Sequence, residues 1–315
     1  MTKIKAGNNR WPTMHGADIG FGVALLALVV FASLASDVFL TERNMVNVSR
    51  QMVTNGLISI GMLLVILTGG IDLSVGSVVA FAGLLAAGLQ NTMSPGYAIA
   101  IALGAGMLAG LVNGWLVAYL GLQPFIVTLA TMGAVRGALY IYSASPTYAS
   151  SPEFLEVLGM KAIFGMPVPF LIFAACLPLV WFFLNHMRGG RAVVAIGVNA
   201  EAVRLAGIDV RLHVAGTYIA SGLFAALAGV LLAARLGISQ PSVGGGYELD
   251  AIAAVVIGGG ILGGGGGTLV GMFGGVLALA FVDNILNLFN VQSYYQQLLK
   301  GLIILVAVFA RRRPA

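Results

Sequence analysis

The residues of this chain best equipped for chemistry are carboxylates set at the mouths of apolar stretches. Asp72 stands in Gly70-Ile71-Asp72-Leu73-Ser74-Val75-Gly76-Ser77, and Glu248 and Asp250 stand in Gly246-Tyr247-Glu248-Leu249-Asp250-Ala251. An acid carried into a bilayer is a functional candidate by default, and such groups could bind protons or sodium and drive secondary transport. The structural alternative is capping. An acid at the start of a helix accepts hydrogen bonds from the unpaired N–H groups of the first turn and suits the positive end of the dipole. Ser74, two residues after Asp72, favours capping, and the matching placement of Glu248 and Asp250 favours the same role.

Other polar groups lie within or beside apolar stretches: Arg136, Asn113, Gln123, Thr128, Thr131, Asn284 and Asn287. They could line a path for a hydroxylated solute, or they could make interhelical hydrogen bonds worth about 0.6 kcal/mol each. An Arg at mid-membrane costs roughly 2.5–3.5 kcal/mol on insertion scales, so Arg136 has to pair, face water or snorkel. Cys176 is the only cysteine, inside an apolar run, which leaves neither a disulfide framework nor a thiolate metal site. No glycine run has the GxxxxGK[ST] form that cradles nucleotide phosphates, so any ATP is handled by another chain.

What must position these residues follows from composition. Of 315 residues, 59% are hydrophobic and 9% charged, with a mean hydropathy of +0.98. Ordinary soluble domains carry about 25% charged residues. A soluble globular enzyme, a disordered chain and a nucleic-acid binder are excluded, and the net charge of +5 sits in short basic clusters between apolar stretches rather than along one face. Ten stretches approach the ~20 apolar residues that a bilayer helix needs: near 19–37, 52–69, 74–90, 97–119, 123–143, 168–186, 213–234, 250–263, 268–289 and 296–310. The eighth and tenth are short. Little chain remains for a catalytic domain.

The first stretch follows Lys3, Lys5 and Arg10 and ends near Ser33-Leu34-Ala35, like a signal peptide. Its apolar run exceeds the usual 7–15 residues, so it reads as a retained helix. With the N-terminus in the cytoplasm and ten crossings, ten basic residues fall inside: Lys3, Lys5, Arg10, Arg188, Arg191, Arg204, Arg211, Arg311, Arg312 and Arg313. Four fall outside, namely Arg43, Arg50, Lys161 and Arg235, while Arg136 and Lys300 belong to helices. That bias places both termini in the cytoplasm.

The chain also resembles itself. At a shift of 176, Gly70, Asp72, Leu73, Val79 and Gly83 meet Gly246, Glu248, Leu249, Val255 and Gly259; at a shift of 161, Gly110, Gly114 and Leu116 meet Gly271, Gly275 and Leu277. The second register is shorter because the turn Gly263 to Gly267 shortens a link. The matched stretches lie five helices apart, and a repeat of five crossings must be inverted, as in many transporter folds. Glycines four apart also have a plain packing use, because membrane helices associate where small residues allow close backbone contact.

One segment between apolar stretches, from His186 to Leu212, is substantial and cytoplasmic in this threading. Asn199 is a plausible N-cap and Gly207 a plausible C′ residue of a two-turn helix. Ala202, Leu205 and Ala206 form an apolar stripe, with Glu201 and Arg204 beside it. A helix so short needs a partner surface, or else lies as a solvated loop helix on the membrane.

These residues resemble a known family. Gly70 to Ser77 looks like the signature of the membrane permeases of ribose-type carbohydrate ABC importers, and Gln123-Pro124-Phe125-Ile126-Val127-Thr128-Leu129-Ala130-Thr131 is similar to that family's fifth-helix motif. Gly197-x-Asn199-x-x-Ala202 with Gly207-Ile208, Gln240-Pro241, Gly246 to Ala253 and Ser293-Tyr294-Tyr295-Gln296 fit as well, over about 20–310. The resemblance implies an all-α integral membrane protein of about ten transmembrane helices, some discontinuous, in two inverted five-helix repeats (about 19–143 and 168–310) within one domain. It implies a non-catalytic permease in a bacterial inner membrane, paired with a second copy or a paralogue and surrounded by lipid. Two cytoplasmic ATPase domains carry ATP and Mg, a periplasmic sugar-binding protein delivers the solute, and no cofactor or metal is held by this chain. Gly197 to Ile208 becomes the coupling helix that docks on the ATPase, and Asp72 and Glu248 need no ion-coupling duty. The competing expectation is a secondary transporter coupled to protons or sodium through Asp72 or Glu248, and a weaker one is a glycine-packed channel.

Overall fold

Apolar chain removed from water has to satisfy its backbone internally, and the helix does so within one segment. The computed structural model describes residues 16–143 and 147–310. Each of the ten apolar stretches overlaps a helix. In chain order these are α1 (Gly16–Ala35), α2 (Glu42–Leu67), α3 (Val75–Gly88), α4 (Pro95–Ala118), α5 (Pro124–Tyr142), α7 (Val168–His186), α9 (Val210–Leu236), α10 (Tyr247–Ile257), α11 (Leu269–Leu288) and α12 (Ser293–Ala310). Short α6 (Pro152–Phe154) runs into a π-helical turn, and α8 (Arg188–Leu205) precedes α9. Among the described residues six helices, α2, α4, α5, α7, α9 and α11, are long and apolar enough to cross a membrane. The protein is a multi-pass, helical membrane protein.

α3 and α10 are different. At 14 and 11 residues and 1.5 Å per residue they reach about 21 and 16 Å, against a hydrocarbon core of about 30 Å. Neither crosses alone. Both begin after a chain reversal, and the starts of the two meet: Gly76 of α3 lies against the Gly244 carbonyl and the Glu248 carboxylate.

The core forms around α2 and α9, which carry the most buried sequences: Leu57, Ile58, Ile60 and Leu63 on one, Ala225, Ala226 and Ala228 on the other. α4 lies on α9 at Gly106, Gly110 and Gly114, which approach the main chain of Gly222, Tyr218 and Ala215. α11 lies on α10 at Gly271 and Gly275, against Gly258 and Ala254. Glycines matched in the internal register thus share a use, close packing, while their partner helices differ. Elsewhere α4, α5 and α7 turn Leu108, Ile126 and Leu179 outward.

Several boundaries depart from the sequence expectations. α2 begins ten residues before 52, where Thr41 accepts the Asn44 N–H at 3.4 Å. Its polar first turns concealed it from hydropathy, and they move Arg43 and Arg50 from an outer loop onto a helix. The segment after His186 is helical from Arg188 onward, with one break at Asn199 (φ −160°, ψ 94°), rather than a loop with a two-turn helix. Two short antiparallel strand pairs were not anticipated: β1 (Tyr148–Ala149) with β4 (Ile238–Ser239), and β2 (Ala162–Ile163) with β3 (Met166–Pro167). The basic clusters at Lys3 to Arg10 and Arg311 to Arg313 lie outside the described residues.

Candidate functional site

The reversal between α2 and α3 is built from Thr68 to Ser74. Gly69 turns the chain with φ +87°, and Asp72 ends up buried. Its Oδ1 accepts the Ser74 N–H at 3.0 Å and the Ser74 hydroxyl at 2.6 Å. Its Oδ2 accepts the Ser221 hydroxyl from α9 at 2.8 Å. Asn113 of α4 donates to the Ser74 hydroxyl at 2.9 Å, and at 3.5 Å to Asp72 itself. Thr128 of α5 donates to the Ile71 carbonyl at 3.2 Å and to the Pro124 carbonyl at 3.0 Å. α4, α5 and α9 therefore converge on the approach to α3.

Asp72 does not cap α3, whose N-cap is Ser74: its bonds to Ser74 are local, whereas those involving Ser221, Asn113 and the Thr128–Ile71 contact tie α9, α4 and α5 to this turn. Ser221 was not singled out from sequence, since a lone serine in an apolar helix carries no local signal. Among the described residues no Lys or Arg pairs with Asp72, and no group of three His, Cys, Asp or Glu is placed to hold a metal.

The acids at the start of α10 separate. Glu248, in the first turn, lies against Gly76 and has no capping bond. Asp250 does not cap, contrary to the sequence expectation. It pairs with Lys300 of α12 at 3.0 Å, and the same ammonium reaches Asp283 of α11 at 3.0 Å. One cation thus joins three helices. Periodicity could not show this, because Lys300 lies 50 residues beyond Asp250. Arg136 finds partners in the backbone, donating to the carbonyls of Pro241 at 2.8 Å and Val243 at 2.9 Å.

The remaining polar candidates are scattered. Asn284 of α11 exchanges two hydrogen bonds with Asn44 of α2, at 2.8 and 2.9 Å, away from Asp72. Asn287 is exposed and accepts from Gln296 at 2.9 Å. Gln123 is exposed at the start of α5, where Pro124 takes the first helical position.

The segment 197–208 touches the same chain reversal from the other side. The Gly197 backbone sits against the Leu67 carbonyl and the main chain of Gly264 and Gly265, whose own tie is the Gly265 N–H to Leu67 carbonyl bond at 3.0 Å. A side chain at Gly197 has no room. After the break, the Asn199 side chain accepts the Ala202 N–H at 3.0 Å. The turn closes with Gly207 at φ +80°, where the Gly207 N–H reaches the Arg204 carbonyl at 3.0 Å and the Ile208 N–H the Val203 carbonyl at 3.3 Å. Those are the two bonds of a Schellman closure. Val203 is buried as the anchor, while Ala202, Ala206 and Leu205 (74% exposed) face outward. Arg204 grips Glu201 with two hydrogen bonds and holds that carboxyl below its usual value. Asp209 then caps α9, accepting the Leu212 N–H at 3.2 Å.

Comparison with known proteins agrees with this architecture. Residues 44–308 match the family model of the branched-chain amino acid transport system permease component. The chain is 43% identical over 291 residues to the ribose import permease of Escherichia coli K12, covering 91% of each. It is 40% identical over 300 residues to the ribose import permease of Bacillus subtilis 168, covering 94% of this chain and 93% of that one. It is 39% identical over 299 residues to the L-arabinose transport system permease of E. coli K12, covering 95% and 90%. No solved structure matches the chain. A chain of apolar helices that covers nearly the whole of these permeases belongs to their family, the membrane permeases of ribose-type carbohydrate importers.

Proposed function

We propose that this chain is the membrane-embedded, non-catalytic subunit of an ATP-driven importer of a monosaccharide, a pentose or hexose of the ribose kind, in a bacterial inner membrane. The proposal includes two copies of the permease, or one with a paralogue, two cytoplasmic ATPase domains that carry ATP and Mg, and a periplasmic sugar-binding protein. It also includes ten crossings in two inverted halves (about 19–143 and 168–310), with both termini cytoplasmic. The observation that carries it is the segment 197–208. It is capped at both ends and anchored by Val203. It presents an apolar face to solvent and rests through Gly197 on the end of α2 and the turn between α10 and α11. An engine docked on Ala202 and Leu205 would push directly on the α2–α3 and α10–α11 reversals. In this scheme closure of the ATPase pair opens the pathway outward, and hydrolysis resets it inward.

The rival reading, ion coupling through Asp72 or Glu248, is disfavoured by the local chemistry. Asp72 is engaged by hydroxyl and N–H donors that serve as structural ties. The test is reconstitution in vesicles with and without the partner ATPase that the proposal requires. Sugar uptake that requires ATP and survives collapse of ion gradients supports the proposal; accumulation by the permease alone on an ion gradient overturns it.

A further inference from the structure

A cavity of about 510 Å³ opens between α7, the first half of α8 and α9, with Leu64 of α2 at its base, and the residues assigned to the site and to the 197–208 segment do not line it. Its floor is Leu64 and Val193, and its walls include Leu179, Phe183, Gly216 and Phe224. Along α9 it runs from Leu212 to Phe224, which at 1.5 Å per residue is about 18 Å. Gly216 has open space where a side chain would stand, and Leu179 and Leu212 are largely exposed on the rim.

The lining is almost wholly apolar, with the His213 ring and the Thr217 hydroxyl its main polar groups. The Thr217 hydroxyl is spent on the Val214 carbonyl at 2.7 Å, and His213 Nδ1 lies 2.6 Å from the Asp209 carbonyl. A sugar would lose its hydration there with nothing in return, whereas a hydrocarbon chain loses nothing. One end is cationic. Arg188 and Arg211 adjoin the lining residues Gly189 and Leu212, and Arg191 is one turn away. Among the described residues none of the three is ion-paired. Arg191 donates to the His186 carbonyl, Asp209, two residues before Arg211, caps α9, and Glu201, the acid nearest Arg188 and Arg191 in sequence, is paired with Arg204. Trp181, half-exposed beside His186 with ring centroids 5.0 Å apart, sits where α7 ends, as interfacial aromatics do.

We infer that this groove is a binding site for an anionic phospholipid, with one acyl chain lying along α9 between Leu212 and Phe224 and the phosphate held by Arg188 and Arg211. Two exposed arginines without an ion-pair partner among the described residues, each next in sequence to a residue lining one end of an apolar inter-helix slot, supply the charge complementarity. The inference needs only the membrane setting, so it stands or falls separately from the identity of the transported solute.

The test is native mass spectrometry of the purified full chain, delipidated and then offered phosphatidylglycerol or phosphatidylcholine with identical acyl chains. The expected result is at least tenfold preferential retention of phosphatidylglycerol. R188Q/R211Q, on an exposed rim and neutral for folding, should reduce that retention to the phosphatidylcholine level, and Gly216→Leu, which fills open space, should lower retention of both lipids. Equal retention of the two lipids by the wild type overturns the inference, as does phosphatidylglycerol binding untouched by either variant. Disulfide-linked dimers of Gly216→Cys, in a Cys176→Ala background, would make the groove an interface between copies and overturn it as well.

Discussion

Replacing Gly197 with alanine adds one methyl group where the main chain of Leu67, Gly264 and Gly265 already stands within van der Waals reach. None of those atoms ends a flexible side chain, so relief requires α8 to move away from the two reversals. Overpacking of this kind costs about 1–3 kcal/mol. Losing the Gly265 to Leu67 bond adds about 1 kcal/mol, and alanine's better helix propensity returns roughly 0.5–1 kcal/mol. The net is a destabilisation of about 1–3 kcal/mol. The permease should melt several degrees lower in detergent. ATP-driven uptake in vesicles should fall further than the loss of folded protein explains, because the displaced segment no longer bears on the helix ends. Gly104→Ala, in α4 with nothing within 4 Å, is the control and should melt at or slightly above the wild-type temperature. Wild-type melting and uptake for Gly197→Ala would refute the contact as a link.

Ala202→Asp with Leu205→Asp, both on the exposed face, should leave melting unchanged and abolish copurification of the ATPase; uptake at wild-type rate would remove the docking assignment. Asp72→Asn keeps an acceptor for Ser74, and the Ser221 hydroxyl can turn to accept from the new amide. Stability should change by no more than about 1 kcal/mol with substantial transport retained, whereas Asp72→Leu, which orphans several donors, should fail to accumulate. Complete loss of uptake in a well-expressed Asp72→Asn would restore the ion-coupling role. Lys300→Met strands two carboxylates and should cost about 3 kcal/mol or more; adding Asp250→Asn and Asp283→Asn should recover most of it, measured by thermal melting. Because hydrogen bonding to Arg204 lowers the Glu201 carboxyl, that pair contributes above the ordinary value of 4.5 and is lost as pH falls through the lowered one. The amide protection of 200–206, relative to the intrinsic exchange rate at each pH, should therefore fall in acid, and high salt should mimic the effect.

Much of this molecule was legible in one dimension. The membrane class follows from the scarcity of charge, because a chain with so few ionised side chains has no means of covering a soluble surface. The helix at 200–205 was legible too, since Asn199 and Gly207 are local signals whose hydrogen bonds span three or four residues. What only the folded chain decided were contacts between distant segments. Asp72 looked like a cap because sequence shows its neighbour Ser74 and conceals Ser221, 149 residues away. Asp250 looked like its counterpart, yet Lys300 claimed it. Gly197 already stood at the head of the coupling motif, but only the fold showed the end of α2 and the α10–α11 turn closed over it. Local hydrogen bonding and hydropathy are written residue by residue. Close approach between helices depends on how all of them pack at once, and that information no single stretch contains.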